Sequence, residues 1–384
     1  MVALGYALLK CVSTPYKGGK LKVKEHETMK RFGYLYDKIC DMDNLKEAHR
    51  NARKDKLYYR EVKMVDENPD YYLQKIHDML INEEYEVSPY NISIINDKGK
   101  ERELMKLPYY PDRIIQWAIM LQLEKIFMSV FICSTCASLA GRGIHTASSK
   151  IRKYLKDDPK GTQYCYKIDV RHFYPSINHK ILKGLLRKKI KDGKLLRLLD
   201  KIIDSSGGEV GIPIGSYLSQ YLANFYLAYF DHWIKEELGV KYYVRYMDDI
   251  VILAGTKEEL HTLHMKISEY LSTHLQLTIK GNWQIFPTAV RGVDFVGYRH
   301  FYGYQLLRKG TYKRFRRKML KIRRKKNKGK PINRKDWSSF NSYKGWLLWC
   351  NSYNLSNRYL EPIRDCVDEY YKVNIKQNKV KEAA

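Results

Sequence analysis

Apolar and polar residues recur with different periods along the chain, and these periods predict an alternation of helices and strands. Residues 1–60 read as polar and helical, and residues 61–81 read as a helix that Pro69 interrupts. Over residues 91–107 the apolar positions follow a period of two around the turn residues 96–99. This pattern predicts a β-hairpin with basic residues at its tip.

The remainder of the chain continues the mixed pattern. The predicted elements are, in order, an apolar helix at 112–132, a strand at 163–170, an amphipathic basic helix at 179–203, a glycine-rich loop at 207–213, a helix at 217–237, a helix at 257–275 and further strands near 276–304. Between the last two helices, the apolar runs 242–245 and 250–253 flank a tight turn. Short strands among helices favour the α+β class.

The composition changes abruptly after residue 307. Over residues 308–330, 14 of 23 residues are Lys or Arg and none is acidic. Phe315, Met319 and Ile322 nevertheless keep an apolar stripe at helical spacing through this segment. We therefore predict a basic helix that docks along one side, and an aromatic-rich segment at 337–360 that packs beside it.

The net charge of +28 over 384 residues indicates a polyanionic partner. A membrane would require an apolar face or span, and no run approaches the roughly 20 apolar residues of a transmembrane helix, so we expect no membrane partner. Residues 2–9 do not resemble a signal peptide, and the seven scattered cysteines fit reduced thiols. Cys133 and Cys136 form a single C-x-x-C pair, which we interpret as structural thiols.

Three carboxylates form the candidate chemical centre. Asp248 and Asp249 lie on the turn Tyr246-Met247-Asp248-Asp249, and Asp169 ends another apolar strand 79 residues before Asp248. A single Asp is more often a turn or capping residue. Paired acidic residues between apolar strands, however, would be a costly clustering of like charge without a cation. The three residues together therefore predict a metal site.

The chemistry that fits this set is the joining of nucleotides. Mg²⁺ prefers carboxylate, phosphate and water oxygens as ligands. Two such ions about 3.5–4 Å apart can activate an attacking 3′ hydroxyl and neutralise a leaving pyrophosphate. We therefore predict two Mg²⁺ ions as cofactors, for which Mn²⁺ can substitute.

Ordered blocks of this sequence resemble the reverse transcriptases of bacterial retroelements. The matching blocks are Arg102 through Arg113, Gly141-Arg142-Gly143 with His145, Lys167-Ile168-Asp169 through Ile177, Gly211 through Gln220, Tyr246 through Asp249, Leu277 through Lys280, and Gly292 through Tyr298. The Y-x-D-D turn alone is moderately specific, whereas seven blocks in this order are very specific. The resemblance covers residues 40–305, and a basic thumb follows it.

The resemblance implies a role for each matching position. Asp169, Asp248 and Asp249 would be catalytic and bind the metal ions, with the carbonyl of Val170 as a backbone ligand. Tyr174 would be the steric gate whose ring excludes a ribose 2′ hydroxyl, so that dNTPs are the substrates. The other nucleotide-binding residues would be Arg102, Lys98, Ile214, Gly215 and Gln220. The alternatives are a core role for Tyr174 and a solvated turn for Lys98.

Two further groups of residues follow from the resemblance. Lys280 would be a general acid that protonates pyrophosphate, although it stands closer to Leu277 than is usual, and the alternative is surface charge. The primer grip would comprise Gly292, Phe295 and Gly297.

The charge of the basic helix 308–330 predicts that it binds the template–primer backbone or a structured template RNA. The alternative is a solvated basic face with no partner. The residues expected on the nucleic-acid backbone are Arg314, Arg316, Arg317, Lys321, Arg323 and Arg324.

The nucleotide block departs from that of most reverse transcriptases, which carry Gln-Gly followed by Ser-Pro. This chain has Ile214-Gly215 and Ser219-Gln220, a form that resembles diversity-generating retroelements, as do Asn44-Leu45 and the segment 342–346. A branched apolar side chain cannot form the hydrogen bond of an amide, which is worth roughly 0.5–1.5 kcal/mol. We expect error-prone copying, especially opposite adenine as that family implies. The alternative is that Ile214 is a neutral packing variant.

The resemblance also implies a right-hand polymerase of the α+β class, with fingers, a palm built on an antiparallel sheet plus helices, and a helical thumb. The predicted domains are an N-terminal helical extension at 1–60, fingers at 61–163, a palm at 164–304 with a fingers insertion at about 179–210, and a basic helical thumb at 305–384.

The predicted function is that of an RNA-directed DNA polymerase, a nucleotidyltransferase that copies a retroelement template RNA into cDNA for diversity generation and retrohoming. Expected partners are template RNA, RNA/DNA duplex, dNTPs and a small basic accessory protein oligomer, in a bacterial cytoplasm, with a bacterial or phage gene.

Two alternatives remain open. One is a group II intron-like or defence-associated reverse transcriptase. Only 135 residues follow Asp249, which we expect to leave room for a thumb but little for a splicing domain and an endonuclease. The other is a non-catalytic RNA-binding scaffold, against which the intact acidic trio and Tyr174 argue.

Overall fold

Helices and antiparallel strands alternate along the chain in the computed structural model, which describes residues 30–97 and 100–376. The helices are α1 Tyr36–Cys40, α2 Met42–Ala52, α3 Arg60–Glu67, α4 Pro69–Ile81, α5 Ile114–Val130, α6 Ile144–Asp157, α7 Phe173–Ser176, α8 His179–Lys189, α9 Gly193–Asp204, α10 Tyr217–Tyr226, α11 Ala228–His232, α12 Lys257–Leu275, α13 Thr288–Arg291, α14 Lys309–Asn327, α15 Arg334–Leu347, α16 Tyr353–Tyr359 and α17 Arg364–Tyr371. The strands are β1 Asn91–Asp97, β2 Lys100–Lys106, β3 Thr135–Cys136, β4 Tyr164–Asp169, β5 Tyr242–Tyr246, β6 Asp249–Ala254, β7 Gln284–Pro287, β8 Val293–Phe295, β9 Tyr298–His300 and β10 Gln305–Leu307.

The chain folds into two compact units, each assembled from segments that are far apart in the sequence. The first unit comprises the described residues up to Thr135 together with Arg171–Ile234 and Tyr270–Thr278. The second unit comprises Cys136–Val170, Lys235–Glu269 and the described residues from Ile279 onward. The boundaries proposed above for extension, fingers, palm and thumb stay predictions.

In the first unit, the predicted interruption at Pro69 is confirmed. α3 ends at Glu67 and α4 begins at Pro69, whose fixed φ and missing N–H suit the first position of a helix. The side chain of Asn68 caps α4 by accepting a hydrogen bond from the N–H of Tyr71 at 3.4 Å. The side chains of Val62, Val65, Leu73 and Ile76 are buried, so both helices turn an apolar face inward.

The predicted hairpin is also confirmed. β1 and β2 pair antiparallel from Asn91 opposite Lys106 to Asp97 opposite Lys100. Lys98, which was expected to contact a triphosphate, lies outside the described residues. For Arg102 the structure describes the backbone alone, which pairs with Ile95.

The single helix predicted over 179–203 is wrong, because two helices occupy this segment. α8 ends at Lys189, and Ile190 turns to an extended conformation that forms a parallel bridge with Phe32. The carboxylate of Asp192 then caps α9 by accepting from the N–H of Leu195 at 3.2 Å, and it also accepts from the N–H of Leu35 at 2.7 Å. Pairing with the N-terminal segment therefore overrides the helical period.

The helix predicted over 217–237 is likewise divided. α10 ends at Tyr226, Leu227 leaves the helical conformation with φ of −97° and ψ of 2°, and α11 and a π-helical turn at Trp233–Glu237 follow. By contrast, α12 has the predicted bounds of 257–275. Its Leu260, Ile267 and Leu271 are fully buried, as the spacing predicted.

A five-stranded sheet with the order β3-β5-β6-β4-β7 forms the centre of the second unit. Both neighbours of β4, namely β6 and β7, pair with it antiparallel. One face of this sheet packs on α6 in a cluster that includes Ile151, Leu155, Cys165, Val251 and Phe295. A separate three-stranded sheet has the order β10-β9-β8.

The basic segment forms α14, as predicted, and its apolar stripe is buried. Phe315, Met319 and Ile322 pack in a second cluster with Phe340 of α15 and Tyr359 of α16. The aromatic-rich segment therefore packs beside the basic helix, as expected.

The α+β class predicted from the periodicity is confirmed, since helices accompany a sheet in which β5, β6, β4 and β7 pair antiparallel. None of the helices in the described part of the chain is long and apolar enough to cross a membrane. Within the described ranges, Cys40, Cys165, Cys350 and Cys366 are free thiols.

Candidate active site

The Tyr246–Asp249 segment forms a two-residue hairpin turn in the second unit. Tyr246 pairs with Asp249 at the end of the β5–β6 ladder, so Met247 and Asp248 occupy the turn itself. The strands are held by Val244, Ile250 and Val251, which are fully buried. Apolar strands on a packed sheet thus present the two adjacent carboxylates at one end of the sheet.

The backbone of the turn is strained, and two hydrogen bonds hold it in this conformation. Met247 adopts a left-handed backbone conformation with φ of +57°, which residues other than glycine rarely adopt. The guanidinium of Arg245, which is fully buried, donates to the carbonyl of Met247 at 2.9 Å. The N–H of Met247 donates to the carbonyl of Cys136 at 3.3 Å. These two bonds keep the turn in place against the cost of the backbone conformation.

The third carboxylate lies directly across the sheet. β4 pairs with β6 in a register that places Asp169 opposite Asp249. The N–H of Val170 donates to the carbonyl of Asp248 at 3.3 Å, so the end of β4 also contacts the turn. The structure therefore brings Asp169, Val170, Asp248 and Asp249 together, although they come from segments 79 residues apart.

The carboxylate of Asp249 is buried with one oxygen that lacks a hydrogen-bond donor among the described residues. Its Oδ1 is buried and accepts no hydrogen bond from the described residues, and the ammonium of Lys167 is 3.5 Å away from it. The pKa of Asp249 is raised to about 6, chiefly by burial and also by the negative charges of Asp169 and Asp248, against the opposing positive charge of Lys167. A cation would relieve this repulsion.

These residues fit a divalent cation, although they do not form a complete cage. Within residues 30–97 and 100–376, no three Asp, Glu, His or Cys side chains converge closely enough to hold an ion by themselves. The fit rests on the direct pairing of Asp169 with Asp249 and on the unbonded, buried Oδ1 of Asp249. Carboxylate oxygens are the ligands that hard cations such as Mg²⁺ take.

Lys280 lies beside the trio through its backbone. Its N–H donates to the carbonyl of Asp169 at 2.9 Å, and Ile279 bridges Val170. The side chain is half-buried. Its proximity to the carboxylates is thus established by the fold, whereas its role as a proton donor stays a prediction.

The residues of the predicted primer grip lie along β8: Gly292 precedes this strand, Phe295 is its last residue, and Gly297 lies in the turn to β9. Gly292 has φ of +68°, and a Cβ atom there would lie 2.7 Å from the ring of Phe301. Gly297 has φ of +89°, and a Cβ atom there would lie 2.5 Å from the ring of Trp346 in α15. Phe295 is fully buried between them. Only glycine therefore fits at either position, and one of them seats an aromatic ring of the C-terminal helices.

Lys167 is a residue that the sequence reasoning did not single out. Its ammonium donates to the carbonyl of Asp294 in β8 at 2.8 Å and lies beside Asp249, so it joins the carboxylates to the primer-grip strand. Asp294 also forms an ion pair with Arg308. Because residues i and i+2 of a strand share a face, the position of Lys167 two residues before Asp169 was a usable signal.

The remaining nucleotide-side residues belong to the first unit. Tyr174 is half-buried, and its carbonyl accepts from the N–H of Ile212 at 3.1 Å. The loop that carries Ile214 and Gly215 therefore contacts the turn of Tyr174. Gly215 has φ of +115° and faces the side chain of Leu104 in β2. Gln220 lies half-buried on α10.

The basic residues expected on nucleic acid share one property. All of them have exposed side chains on α14, namely Arg314, Arg316, Arg317, Lys321, Arg323 and Arg324. Lys318, Lys325 and Lys326 of the same helix instead form ion pairs with Asp336 and Asp365. The helix thus separates structural cations from solvent-facing ones.

An antiparallel sheet with two carboxylates at a hairpin turn and a third on the adjacent strand is the site expected of a template-directed polymerase. The profile of the family described as reverse transcriptase (RNA-dependent DNA polymerase) matches residues 94–300. The chain belongs to this family, which confirms the predicted enzyme class and the right-hand polymerase fold at the level of the family.

Several curated proteins are similar to this chain, and two of them overlap with it as follows. The Escherichia coli (strain K12) protein YkfC is 25% identical over 270 residues, which are 59% of this chain and 70% of YkfC. The group II intron-encoded protein LtrA of Lactococcus lactis subsp. cremoris is 30% identical over 149 residues, which are 37% of this chain and 24% of LtrA. The chain therefore spans about a quarter of the length of LtrA.

A solved structure of telomerase from Candida albicans, in complex with a fragment of telomeric RNA, is also similar to this chain. It has 10% sequence identity and a TM-score of 0.46, and the match covers 78% of this chain and 64% of that chain.

Proposed function

We propose that the chain copies a template RNA into cDNA as the error-prone polymerase of a diversity-generating retroelement. The observation that carries the polymerase role is the pairing of Asp169 with Asp249, with Asp248 in the adjoining turn. The narrower assignment rests on Ile214-Gly215 in place of Gln-Gly and on Ser219-Gln220 in place of Ser-Pro.

The proposed chemistry assigns each residue a task. Asp169, Asp248 and Asp249, with the carbonyl of Val170, would hold two divalent ions, for which we propose Mg²⁺. When bound, the ions supply Lewis acidity at the 3′ hydroxyl and at the leaving pyrophosphate. Lys167 lies beside Asp249 and donates to the carbonyl of Asp294, so it connects the carboxylates to β8. The hydrogen bond from Arg245 keeps the strained turn in position.

Substrate selection is proposed for the residues of the first unit. The ring of Tyr174 would exclude the ribose 2′ hydroxyl, so that dNTPs are used. Ile214, Gly215 and Gln220 would contact the nucleotide, with Arg102 and Lys98 on its triphosphate.

Lys280 is proposed as the proton donor to pyrophosphate. Further proposed partners are the RNA/DNA duplex on α14 and a small basic accessory protein.

Primer extension tests the polymerase role. The purified chain, given a DNA primer on an RNA template, dNTPs and Mg²⁺, is expected to extend the primer. Asp249→Asn should lower the rate about a thousandfold or more, because several kcal/mol of transition-state stabilisation depend on the ions. The matched control Asp365→Asn, at an exposed carboxylate far along the sequence, should leave the rate unchanged. RNA binding without extension by the parent chain would instead identify a scaffold.

The error-prone role has its own test, which compares Ile214→Gln with the parent. An amide at this position restores a hydrogen bond worth up to about tenfold in discrimination. Sequenced cDNA from Ile214→Gln should therefore contain fewer misincorporations opposite template adenine. Identical error spectra from the two proteins would contradict the low-fidelity assignment and leave the polymerase role intact.

A group II intron-type reverse transcriptase is the second candidate, because the match to LtrA favours it. The two candidates differ in the RNA that they copy. Genomic context decides between them: an adjacent accessory gene and two near-identical repeats that differ at adenines would support the retroelement of the diversity-generating kind, and a surrounding intron would overturn it.

A further inference from the structure

Lys167 places a positive charge against the candidate metal centre of the second unit. Its ammonium is 3.5 Å from the Oδ1 of Asp249, and its side chain is 26% exposed. Asp169, which pairs with Asp249, lies two residues further along β4. Residues i and i+2 of a strand share a face, so the ammonium lies on the same side of the sheet as these two carboxylates.

The contact between Lys167 and Asp249 balances charge but leaves the carboxylate oxygen open. The ammonium donates a hydrogen bond to the carbonyl of Asp294 in β8 at 2.8 Å. The Oδ1 of Asp249 accepts no hydrogen bond from the described residues, although the ammonium is close to it. This oxygen is therefore available to a further ligand while the ammonium keeps its place.

The surrounding strands fix the position of the ammonium. β4, which carries Lys167, lies between β6 and β7 in the five-stranded sheet. The carboxylate of Asp294 is paired with Arg308, and Lys167 bonds to the carbonyl of the same residue. The ammonium can move away from Asp249 only by giving up this hydrogen bond.

A fixed charge at this position has opposite effects with and without divalent cations. Without them, neighbouring carboxylates repel one another, and a nearby ammonium reduces this repulsion. When a divalent cation is bound by the carboxylates, the ammonium and the cation repel each other at short range. The same side chain thus stabilises the ion-free centre and opposes the binding of ions.

We propose that Lys167 is a resident counter-ion of Asp169, Asp248 and Asp249, which stabilises the centre without ions and weakens its affinity for divalent cations. The inference rests on the proposed function, since the ions are those of the proposed polymerase chemistry. In consequence, Lys167 raises the concentration of divalent cations that the centre requires. A lysine with a purely structural role would instead act alike with and without ions.

Mn²⁺ binding to the full-length protein tests the proposal, with the free ion followed by electron paramagnetic resonance. Lys167→Gln removes the charge, whereas Lys167→Arg keeps it. The matched control is Lys153→Gln, which removes an exposed cation from α6 in the same unit. Asp249→Asn identifies the part of the bound Mn²⁺ that belongs to this centre. The titrations are made at about pH 8, above the pKa of about 6 of Asp249.

Lys167→Gln should bind Mn²⁺ about fivefold more tightly than the parent, or more, because a charge that repels the ion is gone. Lys167→Arg and Lys153→Gln should bind as the parent does. Without divalent ions, Lys167→Gln should have a lower midpoint of thermal unfolding than the parent. Saturating Mn²⁺ should close most of this difference, because an ion that binds the folded state stabilises it.

Three results would overturn the proposal. One is unchanged or weaker Mn²⁺ binding by Lys167→Gln, which would make the residue a support for the carboxylates. The second is a deficit in the unfolding midpoint that is equal with and without Mn²⁺. The third is Mn²⁺ binding by Asp249→Asn that equals binding by the parent.

Primer extension by the parent is measured alongside Mn²⁺ binding. Failure of the parent to extend a primer would contradict the proposed polymerase function. The Mn²⁺ affinities and unfolding midpoints of the variants would still decide the role of Lys167, because neither measurement requires turnover.

Discussion

At the residue scale, a few side chains carry charges that the surrounding fold makes costly. Asp249 faces Asp169 across the sheet, and Lys167 is the cation that lies beside it. Arg245 is buried in full beneath a strained turn, to which it donates a hydrogen bond. A single substitution of Asp249, Lys167 or Arg245 is therefore expected to change the balance of buried charge more than it changes side-chain packing.

His300 gives a residue-scale prediction about pH. Its Nδ1 contacts the carbonyl of Val293 at 2.9 Å, and its Nε2 contacts the hydroxyl of Ser148 at 2.9 Å. Since a carbonyl can only accept, Nδ1 carries the proton of the neutral ring. The unprotonated Nε2 lies beside the Ser148 hydroxyl, which donates to the Oε1 of Gln305 at 3.1 Å. Burial lowers the pKa of His300 to about 4, with Asp294 opposing this shift and Arg308 adding to it.

The unfolded chain regains the ordinary His pKa of about 6.5. Between that value and about 4, the unfolded state binds the proton and the folded state does not, so stability should fall as the pH is lowered. The contribution of this single proton is at most roughly 1.4 kcal/mol per pH unit. Urea midpoints at several pH values should show a shallower fall for His300→Gln than for the parent, while His261→Gln, at an exposed position, should follow the parent. Parallel curves for all three would contradict the prediction.

At the element scale, ion pairs that differ in burial connect α14 to α15 through Asp336 and to α17 through Asp365. The carboxylate of Asp336 is 3% exposed, accepts from Lys318 and Lys325, and completes a capping box with Asn333. The carboxylate of Asp365 pairs with Lys326 but is 67% exposed. The buried ion pairs of Asp336 should therefore stabilise the helix packing, whereas solvent screens the exposed ion pair of Asp365.

Replacing these two carboxylates should therefore have unequal effects. Asp336→Ala leaves two lysines without their buried partner and removes the half of the capping box in which its carboxylate accepts from the N–H of Asn333, so we expect a loss of roughly 2 kcal/mol or more of local stability. Asp365→Ala should cause no measurable change. Amide hydrogen exchange in α14 and α15 is the measurement, and faster exchange in both variants, or in neither, would show that burial does not decide the strength of these pairs.

At the scale of the whole molecule, the net charge of +28 makes association with RNA sensitive to salt. Fourteen of the basic residues lie in the segment 308–330, and those of α14 that point to solvent form one exposed set. A polyanion bound there releases counterions as it is neutralised. The charge distribution thus concerns the affinity and rate of association, and it leaves the choice of fold to the apolar pattern.

Neutralising half of the exposed set tests this assignment. The triple variant Arg316→Gln, Arg317→Gln and Arg324→Gln should weaken RNA binding and should reduce the log–log salt slope by about 0.7–0.9 for each phosphate that is no longer neutralised. The control Lys318→Gln removes a cation that is already paired with Asp336 and should change the slope little. An unchanged slope in the triple variant would remove α14 from the RNA-binding surface.

The sequence by itself determined several elements of this protein and the residues of its candidate site. The apolar periods predicted the β1–β2 hairpin, α12 and the stripe of α14, because helix and strand periods are local properties. The residues Asp169, Asp248 and Asp249 were recognisable because acidic residues at the ends of apolar strands are costly without a cation. Even the break at Asp192 had a local signal, since Asp followed by a helix is a cap.

The tertiary structure alone decided which of these residues meet. The register that sets Asp169 opposite Asp249, the approach of Lys167 to Asp294, and the fit of Trp346 against Gly297 each join segments that are distant in the chain. A shift of one residue in that register would reverse the face of every side chain on β4. Such pairings are settled by the sum of many long-range contacts, which no local pattern of residues contains.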